Sequence, residues 1–291
     1  MTNADRFLLA GVMGFPVMHS RSPRLHNYWL AQHGLTGTYV PLTVPPERLG
    51  AALHALPALG FAGCNLTIPH KEAALDLIDH IDPLARRIGA VNCIVVRRDG
   101  SLAGANHDAF GYIASLREAQ PTWQADAGPI AVIGAGGGAR AVLVGLIEQG
   151  AREIRLVNRT PERARALARN LGGPITALDW QSRADALEGA AMLVNTTSQG
   201  MVGESALDLP LDPLPTSALV SDIVYIPRET PLLAAARARQ PDRERAWHAA
   251  ASGAARLPRL VRHHAGCNGR AARNHASRDL SVVLHSVGER E

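Results

Sequence analysis

Lys71 is the only lysine among the 291 residues of this chain, and every other basic residue apart from histidine is an arginine. Arginine stays charged at any working pH, whereas lysine gives up a proton when its surroundings favour the neutral amine. A lone lysine therefore predicts a task that arginine cannot perform, such as proton transfer. The alternative interpretation is a plain surface lysine in a chain whose arginine usage reflects genome composition.

A second chemical signal is the glycine-rich run 134–139, GAGGGA, which follows the apolar segment IAVI and precedes a helical pattern. In that setting glycines allow a tight turn and let the backbone approach a pyrophosphate at a helix N-terminus. The run predicts a Rossmann dinucleotide site. A glycine-rich turn without a ligand is the alternative.

The choice of dinucleotide is encoded after the next strand, where IRLV continues into Asn158-Arg159-Thr160. NAD sites usually place Asp or Glu at this point for the ribose 2′-hydroxyl, whereas NADP sites use arginine for the 2′-phosphate. This chain has no carboxylate there, and a planar guanidinium suits a phosphate. We expect NADP(H); a solvated surface arginine is the alternative.

The N-terminal half has no second dinucleotide motif, but polar side chains follow its apolar segments. The segments GFPVMHSRSP (14–23) and NLTIPHK (65–71) each end a predicted strand, and Asn92 and Asn106 flank a predicted hairpin. Ligand sites of α/β proteins collect at such strand ends. These hydroxyl and amide groups suit the recognition of a small polyhydroxylated acid.

The elements that must position these residues alternate between strand and helix along almost the whole chain. A helix is predicted from Ser22 as N-cap and Pro23, one helix over 70–89 that breaks near Pro83, and a hairpin turning at Asp99-Gly100. Helices between strands imply parallel sheets covered on both faces. The segment PTWQADAG (121–128) is interpreted as a linker near an inter-domain boundary.

Composition excludes several classes of protein. The composition, with 46% hydrophobic residues, predicts a globular protein. Because no apolar run approaches the length of a membrane span, we expect it to be cytoplasmic. The net charge of +4 belongs to residues 240–291, where nine arginines face five acidic residues, so no general nucleic-acid surface is expected. Three cysteines without CxxC spacing indicate buried thiols and no metal site.

Eight motifs in order resemble those of the shikimate dehydrogenase family: GFPVMHSRSPRLHN, NLTIPHK, GAVN, GANHDAFG, GAGGGARA, NRT, NTTSQGM and DIVYIPRETPLL. They extend from residue 11 to about residue 235. The resemblance implies an NADP-dependent oxidoreductase that reversibly reduces 3-dehydroshikimate to shikimate in aromatic amino acid and chorismate biosynthesis. It also implies a monomer or homodimer with a small-molecule substrate and no nucleic-acid or membrane partner.

The family's site residues carry over onto matching positions of this sequence. Lys71 and Asp108 would be the acid/base pair that flanks the reacting hydroxyl. The substrate would be held by Ser20, Ser22, Thr67, Asn92 and Tyr225. The phosphates and ribose of the cofactor would contact Gly134, Ala135, Gly136, Gly137, Gly138, Ala139, Asn158, Arg159 and Thr160, and the nicotinamide side would be lined by Thr196, Ser198, Gly200 and Met201.

Several of these assignments have blander alternatives. Lys71 would act mainly as a fixed positive charge if its neighbours keep it protonated. Asp108 would serve as the N-cap of the helix DAFGYIASL, and Tyr225 as a core aromatic. His107 and Cys93 stand where the family commonly has threonine, and His107 beside Asp108 would alter substrate preference.

The resemblance implies an N-terminal α/β substrate domain, residues 1–108 joined by 240–291, and a doubly wound Rossmann-type NADP domain, residues 109–239. From about residue 240, however, the sequence leaves the family pattern. We interpret this tail as a shifted reading frame: synonymous codons for LPRLVRHHAGCN, read one base later, give FPGWFGTTPAVT, and those for WHAAASG begin GMLLHQ. Coding DNA with incompatible codons would reject this hypothesis.

Two rival functions remain open at this stage. A quinate/shikimate dehydrogenase that uses NAD is one, although Arg159 in place of an acid speaks against it. A catalytically impaired NADP-binding protein is the other, because the atypical tail replaces segments that the family packs on its substrate domain.

Overall fold

The computed structural model describes residues 7–239 and the backbone of residues 247–249. The described residues divide into two compact units between His107 and Asp108, and each unit has one six-stranded sheet. The proposed frame shift, Cys267 and almost all of the atypical tail lie outside the described residues.

The first unit is built on a mixed sheet with the strand order β2-β1-β3-β5-β6-β4. Its strands are β1 Leu8–Gly14, β2 Gly37–Thr43, β3 Phe61–Leu66, β4 His80–Ile81, β5 Cys93–Val96 and β6 Leu102–Ala105. Its helices are α1 Ser22–Gln32, α2 Leu49–Ala55, α3 His70–Ala73 and α4 Pro83–Ile88, with short 3₁₀ turns at Pro46–Arg48 and Ala74–Leu77. Strand β1 pairs in parallel with β2 and β3, whereas β5 runs antiparallel to β3 and β6.

Both faces of this sheet are covered, as the predicted alternation of strand and helix requires. One face carries the larger cluster, in which Met13, Leu66 and Ile94 are almost fully buried. The other face carries a smaller cluster around Val12 and Tyr39. Because strand side chains alternate between faces, neighbouring residues of β1 supply both clusters.

The predicted single helix over 70–89 is wrong, although a helix does begin at the predicted break, Pro83. Two helices, α3 and α4, flank a short strand, β4, that pairs in parallel with β6. The carboxylate of Asp79 accepts a hydrogen bond from the backbone N–H of Leu102 (2.7 Å) just before β4. Asp82 then caps α4 by accepting from the N–H groups of Leu84 and Ala85. The bonds of Asp79 and Asp82 interrupt a continuous helix, and the apolar periodicity of the sequence did not reveal this interruption.

The first helix begins one residue earlier than predicted. Its N-cap is Arg21, without a side-chain cap bond, and Ser22 is its first residue. Ser20 supplies the nearby hydroxyl instead, because its Oγ accepts from the N–H of Ser22 (3.3 Å). Pro23 lies in the first turn, as expected.

The second unit is a parallel sheet with the order β12-β11-β10-β7-β8-β9, which is doubly wound about β7 and β10. Its strands are β7 Ile130–Ile133, β8 Ile154–Val157, β9 Ile175–Leu178, β10 Met192–Asn195, β11 Leu219–Asp222 and β12 Trp247–Ala249. Its helices are α5 Asp108–Ala119, α6 Gly137–Glu148, α7 Pro161–Leu171 and α8 Pro231–Arg239. Two 3₁₀ turns lie at Trp180–Ser182 and Asp185–Leu187.

The central strands of this sheet are buried on both faces. All four residues of β7 are at most 1% exposed, with Ile130 and Val132 in one core cluster and Ala131 and Ile133 in the other. Continuous apolar strands are typical of parallel sheets, and they made this unit predictable from the sequence. Within the described residues, no helix combines the length and the apolar character that a membrane crossing requires.

Candidate active site

The sequence-predicted polar residues of the first unit lie at one edge of its sheet. Strands β1, β3 and β6 run in the same direction, and β5 runs in the opposite direction. The ends of β1, β3 and β6 therefore meet the start of β5 at this edge. Five predicted residues follow or precede those strand ends, and all are partly exposed: Ser20, Ser22, Thr67, Lys71 and Asn92.

Backbone hydrogen bonds join the loops that follow β1 and β3. The N–H of Thr67 donates to the carbonyl of Met13 (3.0 Å), and the N–H of Phe15 donates to that of Ile68 (3.0 Å). The two chains run so close that a Cβ on Gly14 would lie 2.4 Å from Cγ2 of Thr67. Glycine at this position lets the serine-bearing loop lie against Thr67.

Lys71 and Asn92 are both fixed through main-chain bonds at the same edge. The N–H of Val91 donates to the carbonyl of Lys71 (2.8 Å). The side-chain Oδ1 of Asn92 accepts from the N–H of His107 (3.0 Å), the residue before Asp108. The structure thus brings the Lys71 main chain, Asn92 and the strand end that leads into Asp108 together. Asp108 itself is the first residue of α5. Its carboxylate therefore lies in the first turn, and the alternative that it stabilises the helix N-terminus stays open.

Two further residues of this edge, Asn65 and Tyr39, are missing from the sequence-predicted set. The hydroxyl of Tyr39 donates to Oδ1 of Asn65 (2.7 Å), and Nδ2 of Asn65 donates to the carbonyl of Asn92 (3.1 Å). Burial raises the pKa of Tyr39, so its hydroxyl keeps the proton that it donates. The only sequence signal was an amide in an otherwise apolar strand.

Tyr39 is in turn covered by His26 from α1. The two rings are stacked with centroids 4.1 Å apart, and Trp29 meets the histidine edge-on at 5.4 Å. Burial lowers the pKa of His26 to about 4, so the ring is neutral at pH 7. His26 therefore has a packing role in the first unit.

In the second unit the predicted cofactor residues follow β7, β8 and β10 at the carboxyl edge of the parallel sheet. The N–H of Gly134 donates to the carbonyl of Val157 (2.8 Å), and the N–H and Oγ1 of Thr196 donate to that of Ile133 (2.8 and 2.7 Å). The chain reverses its winding between β7 and β10, and ligands of open α/β sheets bind in the crevice at this point.

The glycine run has the shape that a close-lying pyrophosphate needs. Gly134 has φ +112°, and a Cβ there would lie 2.6 Å from Oγ1 of Thr196. A Cβ on Gly136 would meet nothing within 4 Å, so that side of the backbone is open. Gly136 is the N-cap of α6 and makes no side-chain cap bond. Because the first-turn N–H groups of a helix lack intrahelical acceptors, they can donate to a ligand. The described residues therefore fit a dinucleotide phosphate.

The end of β8 keeps the features that favour NADP. Asn158 donates from Nδ2 to the carbonyl of Thr160 (2.9 Å), which closes a short turn before α7. Arg159, inside this turn, is exposed, and no carboxylate lies between Val157 and Thr160. A guanidinium on an open turn can bind a phosphate with two parallel hydrogen bonds.

The loop after β10 holds the remaining predicted cofactor residues, Ser198, Gly200 and Met201, of which Gly200 has φ +89°. The N–H of Val202 donates to the carbonyl of Ile226 (3.1 Å), so this loop lies beside the segment that carries Tyr225. Tyr225 is partly exposed and belongs to the second unit, unlike the other predicted substrate residues. Its role as a substrate contact stays a prediction.

Beneath this loop lies a cluster of three polar side chains with no exposed surface, which the sequence did not predict: Asn195, Asp222 and Thr230. Asn195 and Asp222 are the last residues of two apolar strands, β10 and β11. A polar residue in such a strand was the available signal, because buried polar groups need partners.

Comparison with known families identifies both halves of the chain. Residues 12–94 match the family described as the shikimate dehydrogenase substrate binding domain. Residues 118–224 match the family described as shikimate / quinate 5-dehydrogenase.

Individual relatives agree with those families. A shikimate dehydrogenase (NADP(+)) of Paramagnetospirillum magneticum is 60% identical over 231 residues, which cover 79% of this chain and 84% of the relative. That of Rhodospirillum rubrum is 58% identical over 234 residues, 79% of this chain and 83% of the relative. The solved shikimate 5-dehydrogenase of Thermus thermophilus in complex with NADP(H) and shikimate has a TM-score of 0.70 and 39% identity, covering 80% of this chain and 85% of that one. Quinate dehydrogenase of Corynebacterium glutamicum in complex with NAD has a TM-score of 0.74 and 30% identity, covering 80% and 86%.

Proposed function

We propose that this chain, which belongs to the shikimate dehydrogenase family, catalyses the reversible NADPH-dependent reduction of 3-dehydroshikimate to shikimate. The observation that carries the proposal is the 60% identity over 231 residues with an NADP(+)-dependent shikimate dehydrogenase. We further propose that residues 1–108 serve the substrate and residues 109–239 serve the cofactor.

NADP(H) would lie along the carboxyl edge of the second sheet. Gly134 to Ala139 and the first turn of α6 would hold the pyrophosphate, and Arg159 with Asn158 and Thr160 the 2′-phosphate. The open space at Gly136 and the exposed guanidinium of Arg159 support this assignment. When bound, the nicotinamide exchanges a hydride with the carbon that carries the reacting oxygen.

The first unit would bind the substrate through the polar residues of its sheet edge. Hydroxyls of Ser20, Ser22 and Thr67 would bind the carboxylate, and the amide of Asn92 a ring hydroxyl. The hydrogen bond from His107 occupies one lone pair of Asn92 Oδ1 and fixes the direction of its amide, so the Nδ2 donor side has a defined position. Tyr225 would add a further hydroxyl from the second unit.

Lys71 and Asp108 would move the proton. Reduction of the ketone leaves an alkoxide, to which the Lys71 ammonium can deliver a proton at the oxygen, and the reverse reaction needs the neutral amine as base. The Asp108 carboxylate would orient the reacting hydroxyl. Uniqueness of Lys71 in the sequence supports a role that arginine cannot take over.

A quinate dehydrogenase that uses NAD is the second candidate, because a quinate dehydrogenase bound to NAD shares the fold. The turn after β8 argues against it, since Arg159 occupies the place where an NAD site has a carboxylate.

The test is NADPH formation by the purified full chain, followed by absorbance, with shikimate and quinate each combined with NADP and NAD. We expect turnover with shikimate and NADP that exceeds every other combination. Faster turnover with quinate and NAD would overturn the assignment of substrate and cofactor. Absence of turnover from a protein that still binds NADPH would support the impaired NADP-binding alternative.

A further inference from the structure

The buried cluster Asn195–Asp222–Thr230 connects three elements of the second unit. Oδ1 of Asp222 accepts from Nδ2 of Asn195 (3.0 Å) and from the N–H of Val224 (2.9 Å), and Oδ2 accepts from the hydroxyl of Thr230 (2.7 Å). Thr230 immediately precedes α8, and its Oγ1 accepts from the N–H of Leu233 (3.3 Å). The carboxylate thus ties the end of β10 and the end of β11 to the start of α8.

Asn195 links the buried cluster to the loop that follows β10 through three hydrogen bonds. Its Oδ1 accepts from both the N–H (3.0 Å) and the hydroxyl (2.8 Å) of Thr197, and its Nδ2 also donates to the carbonyl of Gln199 (3.2 Å). The hydroxyl of Thr197 accepts from the N–H of Gln199 (3.1 Å). Side-chain bonds of this kind define the backbone of a short loop.

Residues 196–201, called here the switch-point loop, lie where the winding of the sheet reverses. Thr196 donates to the carbonyl of Ile133 at the end of β7, beside Gly134. A Cβ on Gly200 would lie 3.5 Å from Cβ of Thr230, so the far end of the loop rests on the same buried threonine. The loop therefore borders the crevice next to the glycine run, where the rest of a dinucleotide must continue.

A buried carboxylate is a costly way to end a strand if structure alone is required. Burial raises the pKa of Asp222, while the bonds from Thr230, Val224 and Asn195 counteract this by stabilising the charged form. These three donors are held in fixed directions by the carboxylate that they stabilise. Of the three, Asn195 bonds directly to the switch-point loop, and Thr230 lies beside its Gly200.

We propose that Asp222 is a positioning residue, which through Asn195 and Thr230 holds the switch-point loop in the conformation that seats the nicotinamide half of NADP(H). The inference rests on the proposed function for the identity of the ligand. It assigns to Asp222 no contact with substrate or cofactor.

Thr230→Val tests the proposal, because valine has the shape of threonine without the donor. We expect the KM and the Kd for NADPH to rise about three- to tenfold, the size of one ordinary hydrogen bond, because the effect on the loop is indirect, with KM for shikimate unchanged. We also expect a larger primary isotope effect with shikimate deuterated at the oxidised carbon, because a displaced nicotinamide slows hydride transfer. Thr230→Ser keeps the hydroxyl and should restore all three values.

Thr176→Val, at an exposed position of β9, is the matched control and should behave as the unchanged chain. If Thr230→Val does not fold, Thr197→Val removes the neighbouring hydroxyl of the loop and should raise the Kd for NADPH by a smaller factor. A lower melting temperature with unchanged Kd and isotope effect would overturn the proposal, since a structural role predicts that result. If the unchanged chain lacks turnover, the proposed function fails, but Kd for NADPH still decides the role of Asp222.

Discussion

The two units present their candidate ligand groups in opposite ways. In the first, partly exposed side chains such as Lys71 and Asn92 stand at strand ends and main-chain bonds hold them. In the second, the open backbone of Gly136 and the switch-point loop stand at strand ends and buried side chains such as Asp222 hold the loop. In the first unit side chains would contact the ligand and main-chain bonds hold them, whereas in the second unit the backbone would contact the ligand and buried side chains hold it.

This difference teaches where substitutions should act. A side chain held by its own main chain can be removed without disturbing the fold, so the cost should fall on chemistry. A backbone segment that packs closely against its neighbours is disturbed by an added side-chain atom. Such a substitution should lower stability where the atom meets the protein, and weaken ligand binding where it enters the space of the ligand.

Lys71→Ala is the strongest test of the first half of the comparison. We expect kcat to fall by about 10²–10⁴-fold, the usual contribution of acid/base catalysis, while the Kd for NADPH and the melting temperature stay unchanged. Lys71→Arg is the matched control, because it keeps the charge and loses the ability to exchange a proton. Near-normal kcat in the arginine variant would reduce Lys71 to a fixed charge.

Two glycine substitutions test the second half. Gly134→Ala puts a methyl group at φ +112° against Thr196, so we expect a loss of about 1–3 kcal/mol in the free energy of unfolding. Gly136→Ala enters open space and should leave the unfolding free energy unchanged, yet weaken NADPH binding at least about tenfold by blocking the approach of the pyrophosphate. Thermal unfolding and NADPH fluorescence measure the two effects. Equal loss of stability in both variants would contradict the geometry of the loop.

Arg159→Ala asks whether a side chain in the second unit can behave like those of the first. Since Arg159 is exposed in its turn, we expect no change in melting temperature and a KM for NADP raised about tenfold to a hundredfold, with KM for NAD unchanged. An equal rise for both cofactors would mean that this arginine does not bind the 2′-phosphate. Arg169→Ala, at an exposed position of α7, provides the control.

The last test concerns pH and the packing of the first unit. Burial lowers the pKa of His26 to about 4, so the unfolded chain binds more protons than the folded one between about pH 4 and pH 6.5. Stability should therefore rise with pH across this window, by at most about 3 kcal/mol. His26→Phe keeps an aromatic ring on Tyr39 and should flatten that part of the curve of melting temperature against pH. An unchanged slope would exclude His26 as its source.

The sequence allowed the fold class to be predicted because period and motif agreed in the second unit. Apolar strands such as IAVI, followed by a glycine run and a helix, admit few arrangements besides a doubly wound sheet, and the family comparison confirms this fold. Strands β9 and β12, which lie at the two edges of this sheet, were missed.

The site residues were predictable only where chemistry left a mark in the local sequence. Lys71 and Arg159 are identifiable by residue type and by the residues around them. Asp222 was not, because its partners, Asn195 and Thr230, lie 27 and 8 positions away and meet it only after the sheet forms. The false helix over 70–89 has a related cause: Asp79 bonds to Leu102, 23 positions along the chain.

Because the 291 residues contain a single lysine ε-amine, a label on that amine reports on Lys71 alone among the side chains. Reductive methylation with ¹³C-formaldehyde would label Lys71 and the N-terminal amine and nothing else, because guanidinium groups do not react. Methylation keeps the positive charge. The resonance of Lys71 could then be followed through pH and through additions of shikimate and NADP, which reports proton exchange at one known atom in the intact protein.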